Sequence, residues 1–288
     1  MDENDYTLIK REILRLMDID LSGYKSPQMQ RRLKTYLLRS GQPGWAEFFR
    51  LIRNNPDEIA KLKDYLTINV TSFFRDTEKF NYLEKNIFPE LLKNSSTLRI
   101  WSAGCSRGHE PYSIALMLNK LTGTYRRHKI VATDLDRSAL AWAGAGGPYT
   151  KDEIKNIDPL TLKQNFTLKP EGYYINEKIR QKVQFSQQNL LSDTFLPITE
   201  RKGNFDLVIC RNVVIYFTAE IKDMLYRRFY EMLRPGGVLF VGGTEIVSKA
   251  TEIGFQSAGI SFYRRNGSSP PARHTNRFAS TRTVKRGK

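Results

Sequence analysis

The chain has 288 residues, of which 40% are hydrophobic and 26% charged, an ordinary globular composition that excludes a largely disordered protein. No apolar run approaches the roughly 18–20 residues of a membrane span, and the acidic residues 1–5 do not resemble a secretory signal. Cys105, Cys210 and three scattered histidines offer neither a disulfide framework nor a metal site. We therefore expect a reduced, cytoplasmic protein without a bound metal.

The chain is strongly basic, with 46 Lys and Arg against 30 Asp and Glu and a net charge of +16. Residues 266–288 contain six of the basic residues and no acidic residue. Their content of Ser, Pro, Thr and Gly predicts a disordered basic tail. A basic surface favours an acidic partner such as nucleic acid, anionic lipid or an acidic protein, and charge alone does not choose among them.

Residues 1–66 are predicted to form a small all-helical domain of about four helices. Apolar residues recur at helical spacing over residues 8–17. A capping side chain followed by proline marks a helix start at residues 26–27, with Ser26 as the cap, and again at residues 55–56. Residues 67–97 are expected to form a linker and the first helix of the next domain.

The pattern changes at residue 98 to short apolar runs separated by helical segments. Four runs are typical of buried strands: residues 98–101, 129–133, 205–210 and 238–241. Strands alternating with helices predict an α/β domain over residues 98–265, with a parallel sheet covered on both faces. Three strand-like pieces within about residues 166–186, separated by turn residues, predict a small inserted antiparallel β-subdomain.

The first predicted strand leads into residues 101–113 (WSAGCSRGHEPYS), where small residues would let a ligand approach the backbone. The segment lacks the G-x-G-x-x-G pattern of dinucleotide sites. Glu110 at the helix start is a poor neighbour for a pyrophosphate and suits a positively charged ligand. A tight turn with Glu110 as a helix-dipole residue is the alternative.

The second predicted strand ends at Asp134, where an acid is well placed to bind both hydroxyls of a ribose. A helix-capping aspartate is the alternative, and Asp136 suits that role equally. A ribose partner beside an acidic first loop favours S-adenosylmethionine (SAM) over a dinucleotide. Residues 233–239, with Pro-Gly-Gly followed by an apolar strand, support this interpretation but are also simply a good turn.

Five segments in a fixed order resemble the CheR family of chemotaxis receptor methyltransferases, and the resemblance covers about residues 5–265. They are residues 69–75 (NVTSFFR), 101–113, 133–136 (TDLD), 189–191 (NLL) and 210–217 (CRNVVIYF). The resemblance implies a helical domain, a linker, and a Rossmann-like SAM-dependent methyltransferase domain with an inserted antiparallel β-subdomain. It further implies an enzyme that methylates glutamate side chains of chemoreceptors and releases S-adenosylhomocysteine (SAH). The family usually has two acids before Pro111 and Thr at position 107, where this chain has His109-Glu110 and Arg107.

The resemblance also implies which residues form the site. The cofactor contacts would be Asn69, Thr71, Arg75, Glu110, Asp134, Asn189, Leu190, Arg211 and Asn212. Asp134 would take the ribose hydroxyls, Asn189 and Leu190 would flank the adenine, and Arg211 and Asn212 would lie at the methionine end. Arg75 and Tyr216 are the expected catalytic residues, which hold and orient the incoming carboxylate. A core aromatic is the alternative for Tyr216.

The expected partner is the cytoplasmic helical domain of a chemoreceptor, bound by a monomer without nucleic acid or membrane insertion. Four basic residues in one predicted helix (Arg31, Arg32, Lys34 and Arg39) share a broad face and form a candidate docking surface for an acid-rich helix. A solvated helix face is the alternative. Two other classes stay open: a nucleic-acid methyltransferase, which the net charge favours, and a non-catalytic CheR-like module that binds SAM or SAH.

Overall fold

The computed structural model describes residues 2–67, 71–93, 95–123, 127–192 and 202–267. Its α-helices are α1 (Glu3–Met17), α2 (Ser26–Ser40), α3 (Trp45–Ile52), α4 (Pro56–Leu66), α5 (Thr77–Tyr82), α6 (Phe88–Lys93), α7 (His109–Thr122), α8 (Arg137–Ala145), α9 (Lys151–Ile154), α10 (Pro159–Asn165), α11 (Glu177–Arg180), α12 (Ala219–Met232) and α13 (Ala250–Ile253). Its strands are β1 (Arg99–Ala103), β2 (Lys129–Asp134), β3 (Phe166–Lys169), β4 (Gly172–Ile175), β5 (Val183–Gln187), β6 (Phe205–Cys210), β7 (Leu233–Val241), β8 (Phe255–Gly259) and β9 (Phe262–Arg265).

Helices α1 to α4 form the N-terminal domain around an apolar core of their own, with Ile9, Leu33 and Phe49 at most 1% exposed. As predicted, Asn55 caps α4 by accepting a hydrogen bond from the Glu58 backbone N–H at 3.3 Å. This domain agrees with the helical periodicity of the sequence, because each helix buries one apolar stripe against the others.

The predicted capping role of Ser26 is wrong. Helix α2 begins at Ser26 itself, and its N-cap residue is Lys25, whose side chain makes no capping hydrogen bond. The backbone N–H of Lys25 instead donates to the carbonyl of Tyr216 at 2.9 Å. The start of α2 is thus set by a contact with the second domain, which no local sequence signal contains.

The second domain contains a seven-stranded sheet in the order β5-β2-β1-β6-β7-β9-β8. Neighbouring strands from β5 to β7 are parallel, whereas β9 is antiparallel to both β7 and β8. The predicted parallel α/β fold is confirmed, and the antiparallel β8–β9 edge was not predicted. Strand order reverses between β1 and β6, which opens a crevice at the carboxyl ends of these strands.

Alternate residues of the central strands pack on opposite faces of the sheet, as the period of two requires. Ile100 of β1 joins a core with α7 and with the helical segment from α5 to α6. Trp101, the next residue, joins a core on the other face with Phe229 of α12. The sheet is therefore covered on both sides, and its exposed end carries the loops that follow β1, β2, β5 and β6.

The expectation of three strands in the β-subdomain is wrong. Strands β3 and β4 form a two-stranded antiparallel sheet, joined on one side by a bridge between Tyr149 and Tyr173. The third strand-like piece is β5, which pairs parallel to β2 at the edge of the main sheet, with Val183 opposite Ile130. Alternating apolar residues predict that a strand exists, but they do not identify its partner.

Two predictions concern residues outside the described ranges: the cofactor role of Asn69 and the disorder of the basic tail from residue 268. Among the described helices, none combines the length and the apolar character needed to cross a bilayer. The same described residues contain no cluster of three His, Cys, Asp or Glu side chains able to hold a metal ion.

Candidate active site

A cavity of about 240 Å³ lies between the helical domain and the carboxyl ends of the parallel strands. The loops after β1, β2, β5 and β6 form one wall, with residues 104–106, 134–135, 188–191 and 211–213. The opposite wall comes from the helical domain and includes Met29. A ligand in this cavity would touch both domains.

The fold brings the predicted cofactor residues together. Eight of the nine line the cavity, and the ninth, Asn69, is outside the described residues: Thr71, Arg75, Glu110, Asp134, Asn189, Leu190, Arg211 and Asn212. Tyr216, predicted to be catalytic, lines it as well. These residues come from five separate segments of the chain, so their convergence follows from the topology of the sheet.

Asp134 at the end of β2 is arranged as an acceptor and does not cap a helix. Its carboxylate oxygens accept hydrogen bonds from the backbone N–H groups of Ser106 (2.7 Å) and Asp136 (2.9 Å). Asp136 is the helix cap, since it accepts from Ser138 and Ala139 at the start of α8. A carboxylate has about four acceptor positions, so Asp134 can also accept both hydroxyls of a ribose.

Glu110 and Arg211, which also line the cavity, belong to a cluster of charged side chains. The Arg211 side chain is 3% exposed and donates to Asp76 Oδ2 at 2.7 Å, to the Arg75 carbonyl at 2.8 Å and to Glu110 Oε2 at 3.4 Å. Ser102 Oγ donates to the other oxygen of Glu110 at 2.7 Å. Two carboxylates and one guanidinium leave one net negative charge, which favours a cationic ligand.

The backbone around the cavity holds four non-glycine residues at positive φ: Phe74 (50°), Asp76 (61°), Ser106 (48°) and Asn212 (59°). A side chain binds each of them: Ser113 Oγ accepts from Phe74 N, Arg211 pairs with Asp76, Asp134 accepts from Ser106 N, and Glu245 accepts from Asn212 N. Such backbone strain collects at functional sites and persists where the surroundings impose it.

Glycine at position 104 is required by the packing of two site loops. Gly104 has φ +82°, and a Cβ there would lie 2.5 Å from the Val213 side chain. The absence of a side chain at Gly104, predicted to let a ligand approach the backbone, therefore also lets the loop after β6 pack against it. This close approach brings the loops that carry Ser106 and Asn212 to the same cavity.

The catalytic candidates Arg75 and Tyr216 line the cavity together with Arg32 of α2. Burial raises the pKa of Tyr216, and the positive charges of Arg32 and Arg75 offset part of this rise. The Tyr216 phenol therefore stays protonated at neutral pH and can donate a hydrogen bond to an incoming carboxylate. Tyr216 is half-buried rather than a core aromatic.

The helical domain is joined to the loop that carries Tyr216 by a short antiparallel contact. Lys25 N donates to the Tyr216 carbonyl at 2.9 Å, and Thr218 N donates to the Gly23 carbonyl at 3.0 Å. Between these bonds, the rings of Tyr24 and Phe217 meet edge to face at 4.9 Å. Burial raises the pKa of Tyr24 to about 12, with further contributions from Asp134 and Asp20. The motifs contained no signal for this domain seam.

The four predicted docking residues do not share one environment. Arg31, Lys34 and Arg39 are exposed, whereas Arg32 is half-buried and lines the cavity. Arg32 donates to the Tyr65 carbonyl, and its guanidinium and that of Arg39 lie 4.8 and 5.8 Å from the Tyr65 ring centroid. The basic helix therefore presents cations both to solvent and to the cavity.

Arg107 and His109, the departures from the family pattern, do not line the cavity. The fully buried His109 places Nε2 3.2 Å from Glu153 Oε1, and Arg107 lies 3.9 Å from the same oxygen. Burial would raise the pKa of Glu153, but hydrogen bonds from His109 and Thr150 outweigh it and lower the pKa to about 2. Glu153 thus balances the charge of Arg107, while burial lowers the pKa of His109 and favours its neutral form.

The sequence analysis did not assign three residues that organise the site. Glu245 Oε2 accepts from the backbone of Asn212 at 2.9 Å and of Gly242 at 2.6 Å. Asp76 holds Arg211, and Arg228 of α12 donates to backbone carbonyls of the turn after β5. No motif marked these side chains, because the partners Asn212, Arg211 and Leu190 lie 33, 135 and 38 positions away in the chain.

The residues present fit SAM. Asp134 offers acceptors for a ribose, Leu135 and Leu190 offer apolar surface for a base, and the cluster around Glu110 offers negative charge for the cationic end. A Rossmann-like sheet with this cavity at its topological switch point defines the chain as a SAM-dependent methyltransferase.

Comparison with known proteins shows that the chain belongs to the CheR methyltransferase family. The family profile for the all-alpha domain matches residues 4–67, and the profile for the SAM binding domain matches residues 69–263.

Several relatives match most of the chain. A chemotaxis protein methyltransferase of Listeria monocytogenes is 38% identical over 262 residues, which are 91% of this chain and 97% of that protein. Chemotaxis protein methyltransferase 1 of Pseudomonas aeruginosa is 34% identical over 253 residues, 85% of this chain and 90% of that protein. Among solved structures, a TehB-like SAM-dependent methyltransferase from Corynebacterium glutamicum has 14% identity and a TM-score of 0.35, covering 65% of this chain and 92% of that one.

Proposed function

We propose that this enzyme transfers the methyl group of SAM to glutamate side chains of chemoreceptors and forms glutamate methyl esters. The observation that carries the proposal is the convergence of eight family cofactor residues, Arg75 among them, in one cavity that Tyr216 also lines. The names of the relatives, chemotaxis protein methyltransferases, support a chemoreceptor as the substrate.

The chemistry asks little of the protein beyond binding and alignment. Bound SAM supplies an electrophilic methyl group on a sulfonium. A glutamate with a pKa near its ordinary value of about 4.3 is already an anionic nucleophile at pH 7, so no general base is needed. Catalysis then consists mainly of proximity and orientation.

Arg75 and Tyr216 would supply that orientation. The guanidinium of Arg75 can hold the incoming carboxylate with charge-assisted hydrogen bonds, and the protonated Tyr216 phenol can donate to it. Arg32, which also lines the cavity, adds a third donor. Arg211 would act differently, because Asp76, the Arg75 carbonyl and Glu110 occupy its guanidinium. It would therefore position the segment that carries Arg75.

The exposed face of α2, with Arg31, Lys34 and Arg39, would steer and dock the acid-rich cytoplasmic helices of the receptor onto a monomeric enzyme. Arg32 continues the basic surface to the cavity, so a docked helix would present a glutamate to Tyr216. The matches of both family profiles over residues 4–67 and 69–263 do not favour a nucleic-acid methyltransferase or a non-catalytic module.

The test is a methyl-transfer assay with isotope-labelled SAM and receptor-rich membranes. We expect label on the receptor that is released as methanol at alkaline pH, because esters hydrolyse there and methylated amines do not. Receptors whose candidate glutamates are replaced by glutamine serve as the control. Label that stays on the receptor at alkaline pH, or that appears only on added nucleic acid, would contradict the proposal.

A further inference from the structure

Helix α12 carries two consecutive arginines with different surroundings. Arg227 lies on the outer face, where its side chain is 47% exposed and its Nε pairs with Asp223 at 3.0 Å. Arg228 is half-buried, and its Nη1 donates to two backbone carbonyls, those of Leu190 at 3.1 Å and Ser192 at 2.9 Å. Only Arg228 therefore reaches the wall of the cavity.

Both carbonyls belong to the turn 189–192, which directly follows β5. Asn189 Oδ1 accepts from Leu191 N at 2.9 Å, and Ser192 N donates to the Asn189 carbonyl at 3.2 Å. These hydrogen bonds close the turn on itself without connecting it to the rest of the domain. Arg228 connects the turn to α12, together with the Leu190 and Leu191 side chains, which pack on the core beside that helix.

We propose that Arg228 is a positioning residue for the adenine end of the cofactor. Its guanidinium holds the turn 189–192 at a set place relative to Asp134, so that the turn receives the base while Asp134 receives the ribose. The inference rests on the proposed assignment of Asn189 and Leu190 to the adenine. A charged donor on two carbonyls is a strong restraint, and a wall held before the ligand arrives loses less entropy on binding.

The variant that tests this inference is Arg228→Met, which keeps an apolar stem and removes the donors. We expect the Kd for SAH, measured by calorimetry, to rise by about tenfold or more. Adenosine shares the base and the ribose but lacks the amino-acid tail, so its Kd should rise by the same factor. Arg228→Lys should recover only part of the loss, because a point donor cannot reproduce the planar fork.

Arg227→Met is the matched control, one residue earlier on the same helix, and it should leave both dissociation constants unchanged. Enzyme kinetics separate positioning from a general loss of structure. For Arg228→Met we expect a higher KM for SAM and an unchanged kcat at saturating SAM. If that variant does not fold, the same comparison of KM for SAM with kcat is made on Arg228→Lys.

The inference is overturned if the Kd for SAH stays at the wild-type value, if Arg227→Met loses as much affinity, or if kcat falls while KM does not change. Asp134→Ala, measured in parallel, separates the inference from the site on which it rests. Loss of SAH affinity in Asp134→Ala alone would overturn the role of Arg228 and leave the site in place. Wild-type affinity in both variants would overturn the site assignment and the inference together.

Discussion

Asp134 and Glu110, which line the cavity, and Glu245, which binds the loop after β6, differ from surface acids because burial acts on their carboxylates. Burial raises the pKa of Asp134, Glu110 and Glu245, against opposing hydrogen bonds from backbone N–H groups or from Arg211. Each raised pKa means that protonation begins at a higher pH than for an exposed acid. The negative charge that the cavity offers to a cationic ligand is therefore lost at a higher pH than that of exposed carboxylates.

We expect SAH affinity to be steady near neutral pH and to fall on acidification, starting above the range where an ordinary Asp, of pKa 3.8, titrates. In the proposed site the ionised Asp134 would accept both ribose hydroxyls, whereas its protonated form loses acceptor capacity. Calorimetry over a pH series measures the effect. Asp134→Asn should bind SAH more weakly at neutral pH, and its SAH affinity should depend less on pH. Glu110→Gln measures how much of the remaining pH dependence comes from Glu110. An identical profile in all three proteins would contradict the assignment.

For Arg75 we expect a larger loss in turnover than in cofactor binding. Arg75→Ala removes the group that aligns the incoming carboxylate, and misalignment of this kind costs about 100-fold in kcat. Arg75→Lys should recover only part, because its ammonium lacks the planar fork. Calorimetry with SAH and steady-state kinetics with receptor separate the two effects. If both variants lose only SAH affinity, Arg75 binds the cofactor and the alignment role is wrong.

The two cysteines should differ in reactivity although both are buried reduced thiols. Burial raises the pKa of both well above the ordinary value, so both should react slowly with thiol reagents. Cys105 lines the cavity and Cys210 does not. We expect slow modification of Cys105 that inhibits the enzyme and is prevented by SAM, as read by mass spectrometry. If Cys210 is modified before Cys105, or if SAM does not protect Cys105, this arrangement is contradicted.

At the scale of elements, the contact between the two domains lies beside the candidate active site. The strand-like contact of residues 23–25 with residues 216–218 joins the start of α2 to the loop of Tyr216. Gly23 sits between the turn after β5 and α12, since a Cβ there would lie 3.2 Å from Leu191 and 3.3 Å from Ile221. A Cβ at position 23 would require these side chains to move by a few tenths of an ångström, and a larger side chain there should push the helical domain away from the cavity wall.

Gly23→Val should lower SAH affinity and the melting temperature together, because the valine side chain would separate Leu191 from the helical domain. Gly243→Val is the matched control, since a Cβ at Gly243 meets nothing within 4 Å and its φ is not positive. Calorimetry and a thermal melt measure both properties. Wild-type affinity in Gly23→Val would show that the helical domain does not shape the cofactor site.

At the scale of the molecule, the cavity lies between two domains with separate cores. The helical domain packs around its own apolar cluster, and the sheet domain around two others. Residues of both domains line the cavity. A ligand there would contribute to the interface between the domains, so cofactor binding should stabilise the whole chain, by an amount that grows with the logarithm of the ligand concentration divided by Kd.

Deletion of residues 268–288 should leave the melting temperature and the methylation of detergent-solubilised receptor nearly unchanged. The last described strand, β9, ends at Arg265, and the deleted segment has no apolar periodicity. Because it carries six basic residues and no acid, its removal should weaken binding to anionic vesicles. Replacing the six basic residues by Gln in the full chain is the control. A fall of several degrees in melting temperature would show that the tail packs on the fold.

Sequence signals alone were enough for several elements. Strands β2 and β6 follow from short apolar runs, because a strand buried on both faces needs apolar residues at every position. Helices α7 and α12 occupy two of the helical segments predicted between the apolar runs, because helical periodicity is a local property. The motifs also named eight residues of the cavity before their positions were known.

The tertiary structure decided which of these parts meet. Arg211 binds Asp76 across 135 positions of the chain, Arg228 binds Leu190 across 38, and β5 joins the main sheet rather than the β-subdomain. Tertiary packing also decides that Arg32 lines the cavity while Arg31, Lys34 and Arg39 on the same helix are exposed. Periodicity, capping and turn chemistry act within a few residues, whereas these contacts depend on the packing of distant segments.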